Sequence, residues 1–244
     1  MGIVRGLLRR AGDFLVPPLC PGCREELSLH PEKGPEDPLC PACAQALLPL
    51  PQERCALCGA PLDTVLDLCR ECAVHRRPWC AGTCAFPYDG PAGNWVRALK
   101  YGRETAFAPL LGRAMAEAWR SHHGEASLQP DLVVPIPLHW RRLGRRGFNQ
   151  AALLARHVAR ALECPWGEPL RRGRPTAHQA RLKGAGRLRN LRHAFQVPRP
   201  GEVRGKSILV VDDVMTTGAT LEAACLALLA AGAAQTAVLA AARA

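Results

Sequence analysis

Aromatic residues are scarce in this chain: five phenylalanines, five tryptophans and two tyrosines make up 5% of 244 residues. Proteins that grip single-stranded nucleic acid rely on aromatic side chains on which bases stack. Only Trp140 and Phe148 fall within the most basic loop, so a grip resting chiefly on stacking is disfavoured. Acidic residues are also few, 21 against 32 lysines and arginines, and the formal charge is +11. That deficit favours phosphate-rich partners without naming one. No apolar run approaches the roughly 20 residues of a membrane span, so no membrane insertion is expected. Near the N terminus Ile3, Leu7, Phe14 and Leu15 are interrupted by Arg5, Arg9 and Arg10, which leaves no unbroken secretory core. Residues 1–19 read instead as a short amphipathic helix, and a cytoplasmic location is expected. With 48% apolar and 22% charged residues, the chain has a globular composition.

Cysteine is abundant. In a cytoplasmic protein twelve cysteines point to metal before disulfides. Eight form four C-x-x-C pairs: Cys20/Cys23, Cys40/Cys43, Cys55/Cys58 and Cys69/Cys72. Each pair can wrap one tetrahedral ion from a tight knuckle, with Pro21-Gly22 and Gly59 supplying turns. Sequential pairing gives two zinc ribbons of four cysteines each. Interleaved pairing is allowed by the spacing, but sequential pairing closes shorter loops. Two zinc ions bound by eight thiolates would lower the charge to about +7, still basic. With all four positions taken by cysteine, such zinc is structural and has no open site for chemistry. A ribbon of this kind can staple a fold, dock a partner or read nucleic acid. Glu25, Glu26, Glu32, Glu36 and Asp37 argue against the last. Cys80 and Cys84 fit a buried edge better than a further knuckle, and Cys164 and Cys225 read as core. The Pro/His/Arg segment near 75–78 marks a boundary, giving a double ribbon over 20–77 and a larger domain over 78–244.

The larger domain reads as α/β with a parallel sheet. Apolar β-branched runs at Asp131–Pro137 and Ile208–Val211 have the composition of strands buried on both faces, and Thr236–Ala241 of a further strand. Helical periodicity covers Glu104–His122, Phe148–Leu162 and Leu221–Ala231. After the 208–211 strand come Asp212 and Asp213, then Thr216-Thr217-Gly218-Ala219-Thr220 at a helix start. Unpaired N–H groups and the helix dipole favour a phosphate there, and Gly218 lets the main chain approach it. Two carboxylates beside an anion site cannot serve the anion. They suit the hydroxyl pair of a ribose, so the stretch is shaped for a ribose 5-phosphate.

Pro135 and Pro137 stop the 131–137 strand and turn the chain out at the sheet edge where α/β ligands bind. The loop that follows, His139 to Gln150, carries Arg141, Arg142, Arg145 and Arg146, whose planar forks match pyrophosphate oxygens. Between His139 and Lys206 stand seventeen lysines and arginines against Glu163, Glu168 and Glu202. That concentration can serve a pyrophosphate, a polynucleotide or both. The segment from Leu170 to Phe195 has glycine breaks and no period, which predicts a mobile loop.

Together these segments resemble the ComF family, whose members combine a double zinc ribbon with a type I phosphoribosyltransferase domain. Ile208–Thr220 is similar to the phosphoribosyl-pyrophosphate motif of those transferases. Val134–Leu138 with Arg146–Gln150 resembles the family's first phosphate loop. Lys100-Tyr101-Gly102 resembles its basic element, and Thr176, Gln179, Leu182, Arg187, Asn190 and Ala194-Phe195 its flexible-loop block. The resemblance implies phosphoribosyl pyrophosphate bound with Mg²⁺ at Asp212, Asp213 and Thr216–Thr220. It places the pyrophosphate loop at Pro137, Leu138, Arg141, Arg145 and Arg146, and a catalytic or flexible loop at Lys100, Gln179, Arg187 and Asn190. It also implies a place in natural competence, the uptake of single-stranded DNA, with a helicase or recombination mediator as candidate partner. The competing expectation is a protein of the same fold that binds single-stranded DNA, or assembles the uptake machinery, without turnover.

Overall fold

The computed structural model describes residues 19–27, 39–47, 49–62, 67–102, 104–124, 128–173 and 194–244. The expected N-terminal helix therefore lies outside the described residues, save for its last position. The chain divides into two compact units, Met1–Leu48 and Pro49–Ala244. In the smaller one, a turn at Pro21–Cys23 is closed by an antiparallel bridge between Leu19 and Glu26. Helix α1, Pro41–Gln45, starts on Cys40, whose sulfur accepts from the Cys43 N–H. Pro41 suits the first turn because no N–H is needed there.

The larger unit opens with a second turn around Cys55–Cys58 and helix α2, Arg70–Val74. Strand β1, Ala81–Pro87, then leads into α3, Pro91–Arg97, and a π-helical turn at Ala98–Gly102. Helix α4 covers Phe107–His123, strand β2 Leu132–Pro135, helix α5 Trp140–Arg146 and helix α6 Gln150–Ala161. Two short strands far apart in the sequence, β3, Arg171–Arg172, and β4, Phe195–Gln196, pair antiparallel. Strand β5, Ser207–Met215, helix α7, Ala219–Ala230, and strand β6, Gln235–Arg243, complete the unit.

The main sheet has the order β1-β6-β5-β2, and its strands are parallel throughout. At its centre Ile208, Leu209, Val210 and Val211 are fully buried, as their β-branched, two-sided composition predicts. Strand β5 does not stop at the carboxylates but runs on to Met215. The reason lies in its neighbour: β6 keeps pairing alongside, with Asp212 opposite Ala240, Val214 opposite Ala242 and Met215 opposite Arg243. On the other flank Ile136 donates one last bond to Val211 O at 2.9 Å, and Pro137 cannot add another.

The second four-cysteine turn packs on this sheet. Val134, Ile208, Val210 and Val238 share one core with Leu221 and Leu228 of α7 and with Cys55, Cys58, Cys72 and Trp79. The approach is close enough to dictate a glycine: a Cβ at Gly82 of β1 would stand 2.3 Å from Leu57 O.

Candidate functional site

The parallel strands end together at one edge, as expected for an open α/β sheet. A cavity of about 200 Å³ opens there. Asp212, Asp213 and Thr220 line it together with Ile136, Pro137 and Leu138 and the basic side chains Lys100, Arg142, Arg146 and Arg172.

The two acids are held differently. Strand pleating points neighbouring side chains to opposite faces. Asp213, 5% exposed, accepts from Gln150 Nε2 at 2.7 Å and pairs with Lys100 Nζ at 2.7 Å. It is neutralised and fixed. Asp212 accepts only the Asp213 N–H, at 2.8 Å, among the described hydrogen bonds. Burial first, and then the charge of Asp213, push its carboxyl up to about 8.

Past Met215 the chain forms a cradle. Thr216 and Thr217 are exposed, and Gly218 takes a left-handed φ of +79° as the N-cap of α7. Thr217 Oγ1 accepts from the Ala219 N–H at 3.4 Å. The remaining first-turn N–H groups have no intrahelical acceptor and point, with the dipole, at the space before the helix. Arg243, at the end of β6, props the loop from behind by donating to the carbonyls of Met215 and Thr216.

The arginine segment is a helix, not a loop. His139 Nδ1 caps it by accepting from the Arg141 N–H at 3.3 Å, and Gly147 ends it at φ +83°. None of its residues is buried, so no apolar stripe signalled it in the sequence. Helical spacing sorts the arginines. Arg142 and Arg146, four apart, share a face and line the cavity with the carboxylates. Arg145 joins them, with Lys100 and Tyr101, around an adjacent recess. The guanidinium of Arg141 lies over Trp140 instead, 5.1 Å from the ring centroid. Arg172 also lines the cavity with the carboxylates, from the two-residue strand β3, where burial lowers it from the usual arginine range. Gln150 could have been found from the Phe148-Asn149-Gln150 run, but its partner could not. Gln179, Arg187 and Asn190 lie outside the described residues.

The cysteines pair sequentially. Cys20, Cys23, Cys40 and Cys43 form one group and Cys55, Cys58, Cys69 and Cys72 another, with all sulfurs of a group within 4.8 Å of each other. A zinc ion at about 2.3 Å from four sulfurs sets them about 3.8 Å apart. Sulfur pairs at 3.5 Å (Cys23–Cys40) and 3.6 Å (Cys58–Cys69) agree with that size. Without a cation the sulfurs compete. A hydrogen bond from Cys58 holds the Cys55 thiol down at about 4, and the same contact, with burial, pushes Cys58 far up. A divalent ion removes that conflict by stabilising all four thiolates. Both groups suit structural zinc.

A sheet of this order, with acids and a glycine-bearing threonine loop at its carboxyl edge, defines a class. Residues 107–244 match the phosphoribosyl transferase domain family, and residues 11–73 match the double zinc ribbon domain. The DNA utilization protein YhgH of Escherichia coli (strain K12) is 36% identical over 169 residues, covering 68% of this chain and 74% of that protein. Competence protein F of Haemophilus influenzae is 30% identical over 173 residues, with the same coverage. Competence protein ComFC of Bacillus subtilis is 29% identical over 185 residues, 72% of this chain and 71% of that protein. The chain belongs to the ComF family of competence-related proteins with a phosphoribosyltransferase-type domain. Among the described residues no helix is long and apolar enough to cross a membrane.

Proposed function

We propose that this protein binds phosphoribosyl pyrophosphate together with Mg²⁺ and transfers the ribose 5-phosphate to a nucleophile. One observation carries the reading. Two carboxylates, Thr220 in the first turn of α7 and Arg142, Arg146 and Arg172 line a single cavity. An activated sugar presents hydroxyls, one phosphate and one pyrophosphate in that relation. Asp212 would accept from the ribose hydroxyls, with Asp213 held beside it by Lys100 and Gln150. Thr216, Thr217, Gly218, Ala219 and Thr220 would hold the 5-phosphate through main-chain N–H groups and hydroxyls. Arg142, Arg146 and Arg172 would steady the departing pyrophosphate, in a place where fixed positive charge lowers the barrier most. Pro137 and Leu138 would form the turn under that pyrophosphate. Mg²⁺ would supply neutralising charge between phosphate and ribose oxygens, as it commonly does with few protein ligands.

Calorimetry tests the site. Native protein with Mg²⁺ should release heat on titration with phosphoribosyl pyrophosphate, and Asp212→Ala/Asp213→Ala should bind at least about 100-fold more weakly, the loss of two charge-assisted hydrogen bonds. A native protein that gives no heat refutes the reading. Turnover is tested by pyrophosphate release across a panel of bases and nucleic acids.

A second reading is favoured by the basic body and by the names of the relatives, a DNA utilization protein and competence proteins. In it the same fold holds single-stranded DNA in the cytoplasm, or docks a helicase or recombination mediator through its ribbons. Binding of the sugar without pyrophosphate release on any acceptor would favour it.

A further inference from the structure

We infer that Arg77 and Trp79 are positioning residues that tie the second four-cysteine centre to the threonine loop, so that metal at the centre sets the loop's geometry. The inference rests on the reading of that loop as an anion cradle.

Trp79 is the first link. It is 3% exposed, and its indole N–H donates to Leu57 O at 2.6 Å. Leu57 lies inside the knuckle between Cys55 and Cys58, so the indole is anchored to the backbone that wraps the metal. The far edge of the ring reaches Gly218. A Cβ there would stand 3.3 Å from Trp79 Cη2 and 3.8 Å from Arg77 Nη1. The cradle's left-handed residue therefore rests on the indole.

Arg77 is the second link. Its side chain is 6% exposed and its guanidinium lies over the Trp79 ring, 5.3 Å from the centroid. Nη2 donates to Glu71 Oε1 at 3.0 Å, on the short helix that also carries Cys72, a metal ligand. Nη1 reaches Glu222 Oε2, 3.5 Å away in the first turn of α7. The Glu222 N–H in turn donates to Gly218 O at 2.8 Å. One buried cation thus joins the helix that carries Cys72 to the helix that presents the cradle.

A tetrathiolate zinc centre carries a net charge of about −2, which a buried guanidinium offsets. Loss of metal removes that partner and releases the knuckle holding Leu57 O. Both links then loosen where they meet Gly218 and Glu222. Coupling of this sort is reciprocal, so an anion in the cradle should slow metal loss from the second centre.

Hydrogen exchange of residues 216–222 in the zinc-loaded full chain tests this. Trp79→Phe and Glu222→Gln should each speed exchange there at least threefold while metal content stays at two per chain. Cys69→Ser should speed it further, and Cys43→Ser, which removes only the first centre, should leave it unchanged. With saturating ribose 5-phosphate, a chromogenic chelator should extract zinc from the second centre at least threefold more slowly in native protein, and equally fast with or without it in Glu222→Gln. Unchanged exchange in both Trp79→Phe and Glu222→Gln overturns the coupling, as does an equal rise in Cys43→Ser. Calorimetry with ribose 5-phosphate separates the two readings. No heat with altered exchange removes the cradle and keeps the coupling; heat with unaltered exchange does the reverse. If Cys69→Ser fails to fold, the two conservative variants decide.

Discussion

At the scale of single residues, Asp212 and Asp213 share a motif but not a role. Asp213 has its charge met by Lys100 at 2.7 Å and its second oxygen by Gln150 at 2.7 Å. Breaking such a buried pair leaves an uncompensated charge, so Lys100→Met should lower stability by about 3 kcal/mol in urea unfolding. A change within a few tenths would show the pair to be immaterial. Asp212 instead keeps its proton up to about pH 8 in the folded protein, against 3.8 for the ordinary carboxyl. The folded state then binds one proton more than the unfolded state between those values, so the ligand-free protein loses stability as pH rises through that window. Hydroxyls donating to Asp212 favour its ionised form. Sugar binding at pH 7 should therefore release about one proton, seen as a dependence of the heat on buffer ionisation enthalpy. Asp212→Asn should abolish that dependence, and a native protein without it would place the hydroxyls elsewhere.

At the scale of elements, the loop between β5 and α7 is held from two directions. Arg243 binds the carbonyls of Met215 and Thr216, while the Trp79 ring closes on Gly218. Gly218→Ala meets two obstacles: a φ of +79°, which costs a residue with a Cβ about 1–2 kcal/mol, and a ring edge 3.3 Å away. Denaturant unfolding should show a loss of that size, with weaker anion binding beside it. Helix α5 is the other element that matters here. Its exposed face sorts Arg142 and Arg146 toward the carboxylates and leaves Arg141 on Trp140. Arg142→Ala should therefore weaken pyrophosphate binding about tenfold, and Arg141→Ala should leave it within about twofold. Equal losses would show that helical sorting does not govern the contact.

At the scale of the whole molecule, metal and charge decide behaviour. Two zinc ions per chain are expected by metal analysis, and clearly fewer would refute the double centre. Because Cys55, Cys58 and Cys72 share a core with Val210 and Leu228, losing the second metal should destabilise the α/β body itself. Cys69→Ser should lower the thermal midpoint of that body, and Cys43→Ser should leave it unchanged. The seventeen basic residues between His139 and Lys206 predict a single-strand affinity that falls steeply with salt. A slope of about −3 or steeper in log affinity against log salt would mean that several phosphates are neutralised. Affinity indifferent to salt would rule out the basic body as the grip.

The sequence by itself determined the chemistry that depends on near neighbours. Four C-x-x-C pairs specify two tetrahedral centres, and loop length favours the sequential pairing that the structure shows. The run Ile208–Val211 specifies a doubly buried strand, and Asp-Asp followed by Thr-Thr-Gly-Ala-Thr specifies a turn into a helix, because each is set within a dozen residues. Only the tertiary structure decided what depends on distant segments. It carried β5 past the acids, because β6 pairs beside it. It turned an exposed arginine segment into a helix without an apolar stripe to announce it. It brought Arg172 from the short strand β3 into the cavity beside Asp212, and set Trp79 under Gly218, 139 positions further along the chain. Contacts of that kind arise when a sheet and a metal centre share one core, and no local pattern of residues encodes them.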